Sequence, residues 1–138
     1  MKVCDFMRKD VVTAVPADSI QAVARLMASR KVGFVIVCED HNIRGVVTDR
    51  DITIRAAAEG LPPETPVANI MTRKVVAVQE DSDINFVLGL MADHRVRRLP
   101  VLGANGEVVG VVSLTDLSLL VGQWSHQFVQ TVGSHLSR

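Results

Sequence analysis

The chain has 138 residues, of which 48% are hydrophobic and 22% charged, and its formal net charge is zero. This composition is typical of a folded globular protein and excludes a disordered one. Since basic residues do not outnumber acidic ones, a general nucleic-acid binder is disfavoured. No apolar run reaches the roughly 18 residues of a membrane span. Because the N-terminus MKVCDFMRKD also lacks a signal-peptide pattern, we expect a cytoplasmic protein that does not contact membranes.

The sequence repeats itself at an offset of 64 residues. The stretch that begins at Val3 matches the stretch that begins at Val67, and apolar positions continue to match as far as Val101. Beyond the turn-rich stretch LGANGEV the offset is 65, which places one added residue in that stretch. Turns tolerate such insertions at little cost. We therefore predict two copies of one unit, 1–60 and 67–138, joined by a linker at 61–66.

In chain order, the residue pattern of the first copy predicts a short β-run, a helix, two strands and a final helix. The β-run is VVTAV, the helix covers about 19–30, and the strands are FVIVC and IRGVVT. Asp18 is the predicted N-cap of the first helix, with Gln21 completing a capping box. The final helix begins near Asp49 and ends at Gly60, where prolines prevent its continuation.

The second copy predicts the same order. Its elements are VVAV, a helix at about 83–95 with Ser82 at the capping position, LPVL, EVVGVVS and a helix from Leu114. The ANG between its two strands is a hairpin signal. The repeated order β-α-β-β-α predicts an α/β (α+β) fold. Because about sixty residues bury little core alone, we expect the copies to pack around a pseudo-two-fold axis.

The last helix is predicted to continue into a C-terminal helical tail with apolar residues at helical spacing. They are Leu117, Leu120, Val121, Trp124, Phe128, Val132 and Leu136. This stripe has two interpretations, packing against the other copy or a dimer contact, since Trp and Phe often anchor interfaces.

The two copies match again where the third strand of each meets its final helix. Thr48 and Asp51 occupy this junction in copy one, and Ser113 and Asp116 occupy it in copy two. One interpretation is helix capping by a hydroxyl residue, with an acid favoured in the first turn. The other is a binding site, because a helix N-terminus attracts anions and a carboxylate there can accept hydrogen bonds from a ribose diol.

The tandem order and its motifs resemble a pair of CBS domains, the Bateman module. The resemblance extends to small stand-alone CBS-pair proteins of bacteria and archaea, some of which are linked to stress responses. The stretches that carry it are FM and IM before the first strands, GVVTDRDI, GVVSLTDL and HRVRRLPV. It implies a regulatory sensor, with no catalytic residue, metal or cofactor. The sensor would bind AMP, ADP, ATP or S-adenosylmethionine as its regulatory ligand, in two clefts between the copies.

The resemblance also implies roles for individual residues. Asp51 and Asp116 would hold ribose hydroxyls, and Thr48 and Ser113 would lie near phosphates. The segments on the adenine side would be Thr13-Ala14 with Phe34-Val35, and Ala77-Val78 with Leu99-Pro100. Arg50 could reach a phosphate, and its counterpart Thr115 is the equivalent candidate.

In such pairs a cleft often joins the Asp motif of one copy to the segment before the second strand of the other. We therefore hypothesise that Arg97 and Arg98 face Asp51 and grip a phosphate through forked, bidentate hydrogen bonds. The Asp116 cleft, which lacks that pair, would bind poorly or prefer a less charged ligand. The alternative for HRVRR is a solvated basic helix end that complements the helix dipole.

Catalysis and scaffolding are the alternative functions. Catalysis is disfavoured, because the chain has no GxSxG, HExxH or Walker motif and its four histidines are scattered. Cys4 and Cys38 form no CxxC pair and are best interpreted as small buried thiols. A dimerisation or scaffold module with vestigial clefts, acting only through protein partners, remains the alternative function. In either case we expect a homodimer that signals through an unidentified protein partner.

Overall fold

The structure is a computed structural model that describes residues 1–121, so the predicted contacts of Trp124, Phe128, Val132 and Leu136 lie outside the described residues. The chain forms two compact units. One combines Met1–Val11 with the chain from Val76 onward, and the other is Val12–Val75. Each unit has its own three-stranded sheet and hydrophobic core.

The unit Val12–Val75 contains one β-α-β-β-α array. Its elements are β1 (Thr13–Ala14), α1 (Ile20–Arg30), β2 (Phe34–Glu39), β3 (Asn42–Thr48) and α2 (Asp49–Asp51), which continues as a π-helix (Ile52–Ala57). β1 runs parallel to β2, and β2 runs antiparallel to β3. A 3₁₀ turn at Val67–Asn69 completes this unit.

The other unit repeats this array. Its elements are a 3₁₀ turn (Val3–Asp5), β4 (Val78–Gln79), α3 (Ile84–His94), β5 (Arg98–Leu102), β6 (Val108–Ser113) and α4 (Leu114–Val121). The sheet order is β4-β5-β6, with the same parallel and antiparallel pairings. The predicted α/β class and the repeated β-α-β-β-α order are confirmed.

Strand register confirms the alignment of the two copies. Phe34 pairs with Thr48 in one unit, and Arg98 pairs with Ser113 in the other. The added residue lies in the hairpin, as predicted. The first hairpin turns through two residues with positive φ, Asp40 and His41, and the second has a three-residue turn containing Gly106 at φ +79°. A glycine in the left-handed region is typical of such three-residue hairpins.

The first strand of each copy is shorter than predicted. In the first sheet the Ile36 N–H donates to the Val12 carbonyl at 3.1 Å, which supports pairing from Thr13 onward. Pro100 stands at the position equivalent to Ile36 and has no N–H. β4 therefore begins one position later, at Val78.

The helix caps lie one residue after the predicted positions. Ser19, rather than Asp18, caps α1, because its Oγ accepts the Ala22 N–H at 3.0 Å. Asp18 instead accepts the Val15 N–H at 2.9 Å and closes the preceding turn, so the predicted capping box with Gln21 does not form. The second copy repeats this division of roles. Asp83 accepts the Asn85 N–H and caps α3, whereas Ser82 accepts the Gln79 N–H in the preceding turn.

The segments before the first strands are exchanged between the two copies. Val3 is fully buried in the core that contains Ile84 and Leu99, and Val67 is fully buried in the core that contains Val23 and Val35. The compact units therefore divide the chain differently from the sequence repeats 1–60 and 67–138. The predicted linker 61–66 lies inside the unit Val12–Val75.

Two glycines allow these exchanged segments to approach the sheets closely. A Cβ built on Gly110 would lie 2.6 Å from Met7 Sδ and 2.8 Å from the Arg8 carbonyl oxygen. A Cβ built on Gly45 would lie 2.8 Å from Met71 Sδ and from the Thr72 carbonyl oxygen. The FM and IM motifs thus pack against the glycines of the GVV motifs.

We expect Gly110→Ala to lower the free energy of unfolding by about 1–3 kcal/mol, because the added methyl overpacks against backbone. Gly89→Ala is the matched control, since Gly89 lies within α3 and an added Cβ meets nothing within 4 Å. It should stabilise by roughly 0.5–1 kcal/mol through helix propensity. Urea unfolding of both variants measures the difference, and equal effects would contradict the close approach at Gly110.

Candidate functional site

The first strand–helix junction is closed by reciprocal hydrogen bonds. Thr48 ends β3 in an extended conformation, and its Oγ1 accepts the Asp51 N–H at 3.1 Å. In return, Asp51 Oδ2 accepts the Thr48 N–H at 2.9 Å. This capping box fixes the Asp51 carboxylate one turn inside α2.

The same carboxylate has a cationic neighbour on its own helix. Arg55 Nε lies 3.7 Å from Asp51 Oδ1, and its terminal nitrogen donates to the Ile70 carbonyl at 3.1 Å and to Thr72 Oγ1 at 3.4 Å. Because Ile70 and Thr72 belong to the exchanged segment, Arg55 links that segment to the junction.

The second junction has the same cap but a different partner for its carboxylate. Ser113 Oγ accepts the Asp116 N–H at 3.0 Å. Arg8 Nε lies 3.3 Å from Asp116 Oδ1 and 3.2 Å from Oδ2, and Arg8 Nη2 donates to Oδ1 at 3.2 Å. This hydrogen bond, and secondarily the negative charge of Asp116, raise the pKa of Arg8 above its ordinary value. A single guanidinium therefore contacts both oxygens of Asp116.

The remaining candidates of the first copy lie in the unit Val12–Val75. Phe34 is half-buried and directly opposite Thr48, so their side chains share one face of the sheet. Val35 is fully buried in the core, which leaves only its backbone available to a ligand. Thr13 and Ala14 form β1 beside these residues, and Arg50 is exposed at the junction.

The candidates of the second copy are assembled in the other unit. Arg98 lies opposite Ser113 across β5 and β6, and the Arg97 carbonyl accepts the Leu114 N–H at 2.7 Å. Leu99 and Pro100 are buried, and Thr115 is exposed at the start of α4. Val78 begins the parallel strand beside them, and Ala77 directly precedes it.

The two arginines lie beside the second junction in sequence register. Arg98 is opposite Ser113, and the Arg97 backbone contacts Leu114. Their proposed contact with a ligand held by Asp51 stays a prediction, because Asp51 belongs to the other compact unit.

The family profile of the CBS domain matches residues 3–57 and 67–122. The chain belongs to the CBS domain family. It is 36% identical over 133 residues to CBS domain-containing protein YhcV of Bacillus subtilis, covering 96% of this chain and 93% of that protein. It is 32% identical to hypoxic response protein 1 of Mycobacterium tuberculosis, covering 93% of this chain and 89% of that protein.

A solved CBS domain pair is similar over most of both chains. The CBS pair of protein MJ0100, in complex with 5′-methylthioadenosine and S-adenosyl-L-methionine, is 27% identical with a TM-score of 0.80. The match covers 88% of this chain and all of that one.

Sequence reasoning did not identify two residues that contact the carboxylates of this CBS pair. Arg55 had a local signal, since an arginine four residues after an aspartate lies on the same helix face. Arg8 had no local signal, because it is 108 residues from Asp116 in the sequence.

Within residues 1–121 no group of three His, Cys, Asp or Glu side chains is arranged to hold a metal ion. Cys4 and Cys38 are half-buried free thiols, and burial raises the pKa of Cys38. None of the described helices is long and apolar enough to cross a membrane.

Proposed function

We propose that this CBS protein is a regulatory module that binds an adenosine compound at the Asp51 and Asp116 junctions. One observation carries the proposal: each junction holds a carboxylate one turn inside a helix, next to a hydroxyl cap. An ionised carboxylate is only a hydrogen-bond acceptor and can receive both hydroxyls of a ribose diol. The complex of the MJ0100 CBS pair with two adenosine compounds supports this ligand class.

Other parts of each junction would contribute to ligand binding. The strand backbones at Thr13-Ala14 and Ala77-Val78 offer peptide groups to the adenine edge. Side chains that are buried, such as Val35 and Leu99, would contact the base only through their main chain. AMP, ADP, ATP, 5′-methylthioadenosine and S-adenosylmethionine are the ligands to be compared.

We further propose that the protein is a cytoplasmic homodimer that passes the ligand signal to a protein partner. A ligand can shift a conformational equilibrium only by its difference in affinity for the two states, so the partner would recognise the state that the ligand favours. The similarity to hypoxic response protein 1 supports a role in a stress response.

Calorimetric titration of these ligands into wild type, Asp51→Ala and Asp116→Ala tests the proposal. We expect each substitution to weaken one site roughly 10–100-fold, because hydrogen bonds to a charged group contribute about 1.5–3 kcal/mol. Asp51→Asn separates binding from capping, since its amide oxygen can still accept the Thr48 N–H. Asp93→Ala, an exposed acid on α3, is the matched control and should leave affinity unchanged.

The outcomes separate the two candidate functions. Binding that survives both Asp51→Ala and Asp116→Ala would refute the assigned residues. No binding by wild type of any of these compounds at millimolar concentration would favour a scaffold module instead.

A further inference from the structure

The two junction carboxylates have partners of different origin. Asp51 accepts a backbone N–H of its own junction and lies near Arg55 of its own helix. Asp116 is held by Arg8, which comes from the exchanged segment Met1–Val11. The two junctions therefore share a hydroxyl cap and differ in the cations that contact their acids.

Backbone pairing fixes the position of Arg8. Its N–H donates to the Val111 carbonyl at 2.8 Å, and its carbonyl accepts the Val111 N–H at 2.9 Å. Thr72 makes the equivalent pair of hydrogen bonds with Val46 in the other unit. The same backbone position thus brings a guanidinium to Asp116 in one unit and a hydroxyl to Arg55 in the other.

The Arg8 side chain is held at the surface. It is 73% exposed, whereas the Asp116 side chain is only 14% exposed. An ion pair with one exposed partner is weak, because water competes for the guanidinium. A ligand that offers Asp116 equally good hydrogen bonds can therefore replace Arg8 at the carboxylate.

We propose that Arg8 is a specificity-determining residue that makes the Asp116 site prefer phosphorylated adenosine over uncharged nucleosides. This inference rests on the proposed function. Without a ligand the Arg8 guanidinium donates to the Asp116 carboxylate. When a ligand binds, its ribose diol replaces the guanidinium at that carboxylate. A 5′-phosphate then gives the displaced guanidinium a new bidentate anionic partner, whereas an uncharged nucleoside leaves it without one.

Neighbouring charges favour the same ligand. Arg98 lies opposite Ser113, so a second guanidinium belongs to this face of the sheet. The preference is opposite to the expectation from sequence that the Asp116 cleft takes a less charged ligand.

The test compares AMP with adenosine by calorimetry in an Asp51→Asn background, which weakens the other site. Arg8→Gln removes the charge and keeps a polar side chain. We expect this substitution to lower the affinity for AMP about tenfold, because charge-assisted hydrogen bonds are lost. Adenosine should bind up to about fivefold more tightly, because an exposed ion pair no longer competes with it. The AMP-to-adenosine affinity ratio therefore falls by a factor of ten or more.

Two controls test the geometry of this contact. Lys9→Gln removes one positive charge from the adjacent exposed residue. It should change the affinities for AMP and adenosine by less than about twofold. Arg8→Lys keeps the charge but loses the planar fork, so its affinity ratio should lie between those of wild type and Arg8→Gln.

The two proposals fail in different ways. If AMP and adenosine bind but Arg8→Gln leaves their ratio unchanged, or Lys9→Gln lowers it as much, the role of Arg8 is refuted and the proposed function stands. If no adenosine compound binds wild type, both are refuted.

Discussion

Replacing Val3 by aspartate is expected to unfold the unit that contains residues 76–121 and to spare the unit Val12–Val75. Val3 is fully buried among the residues of that core, which include Ile84, Met91 and Leu99. An unpaired carboxylate there costs about 3–5 kcal/mol, in addition to the lost apolar packing. Hydrogen exchange measured by mass spectrometry locates the unit that loses protection.

Val67→Asp is the matched control for this experiment. Val67 is the repeat counterpart of Val3 and is equally buried, but in the core that contains Val23 and Val47. It should remove protection from residues 12–66 instead. If the aspartate variants unfold the whole chain, the corresponding alanine variants still distinguish the units at a cost of about 2 kcal/mol each. Loss of protection from 12–60 without loss from 76–121 in the Val3 variants would contradict the exchange of segments.

Met91→Ala is expected to lower the free energy of unfolding by about 2–5 kcal/mol. Met91 lies in the last turn of α3, is fully buried and belongs to the core with Val87 and Leu99. Removing its thioether leaves a cavity that a packed core fills only partially. Urea unfolding monitored by circular dichroism gives the change in stability.

Phe86→Ala is the control on the same helix. Phe86 is 58% exposed, so its truncation should change stability by no more than about 0.5 kcal/mol. Equal losses for the Met91 and Phe86 variants would show that α3 presents a different face to the core. Phe86→Ala removes a larger side chain than Met91→Ala does. The expected difference in stability therefore reflects burial and not the size of the side chain.

The fold could be predicted from sequence because both copies carry the same apolar pattern. Gly-Val-Val at 45–47 and again at 110–112 fixed the register of each third strand, and the structure confirms it. Strand ends were less predictable, since the start of β4 depends on the missing N–H of Pro100. The caps differed by one residue because two adjacent residues in each copy can cap a helix, Asp18-Ser19 and Ser82-Asp83.

The exchange of segments could not be predicted by the same reasoning. Val3 and Val67 are identical, as are Met7 and Met71, so either segment fits either core by pattern alone. Backbone pairings such as those of Arg8 with Val111 and of Thr72 with Val46 decide between them. The contact between Arg8 and Asp116 follows from that choice, and it was therefore absent from the predicted site.

The exchanged segment also has a consequence for the order in which the units can form during synthesis. A ribosome adds roughly 5–20 residues per second, and domains begin to fold as they emerge. All residues of the unit Val12–Val75 are adjacent in the chain, so it can close early. Arg8 must wait for Asp116, 108 residues later, which takes about 5–20 seconds. Throughout that interval the nascent chain carries Val3 without the core in which it is later buried.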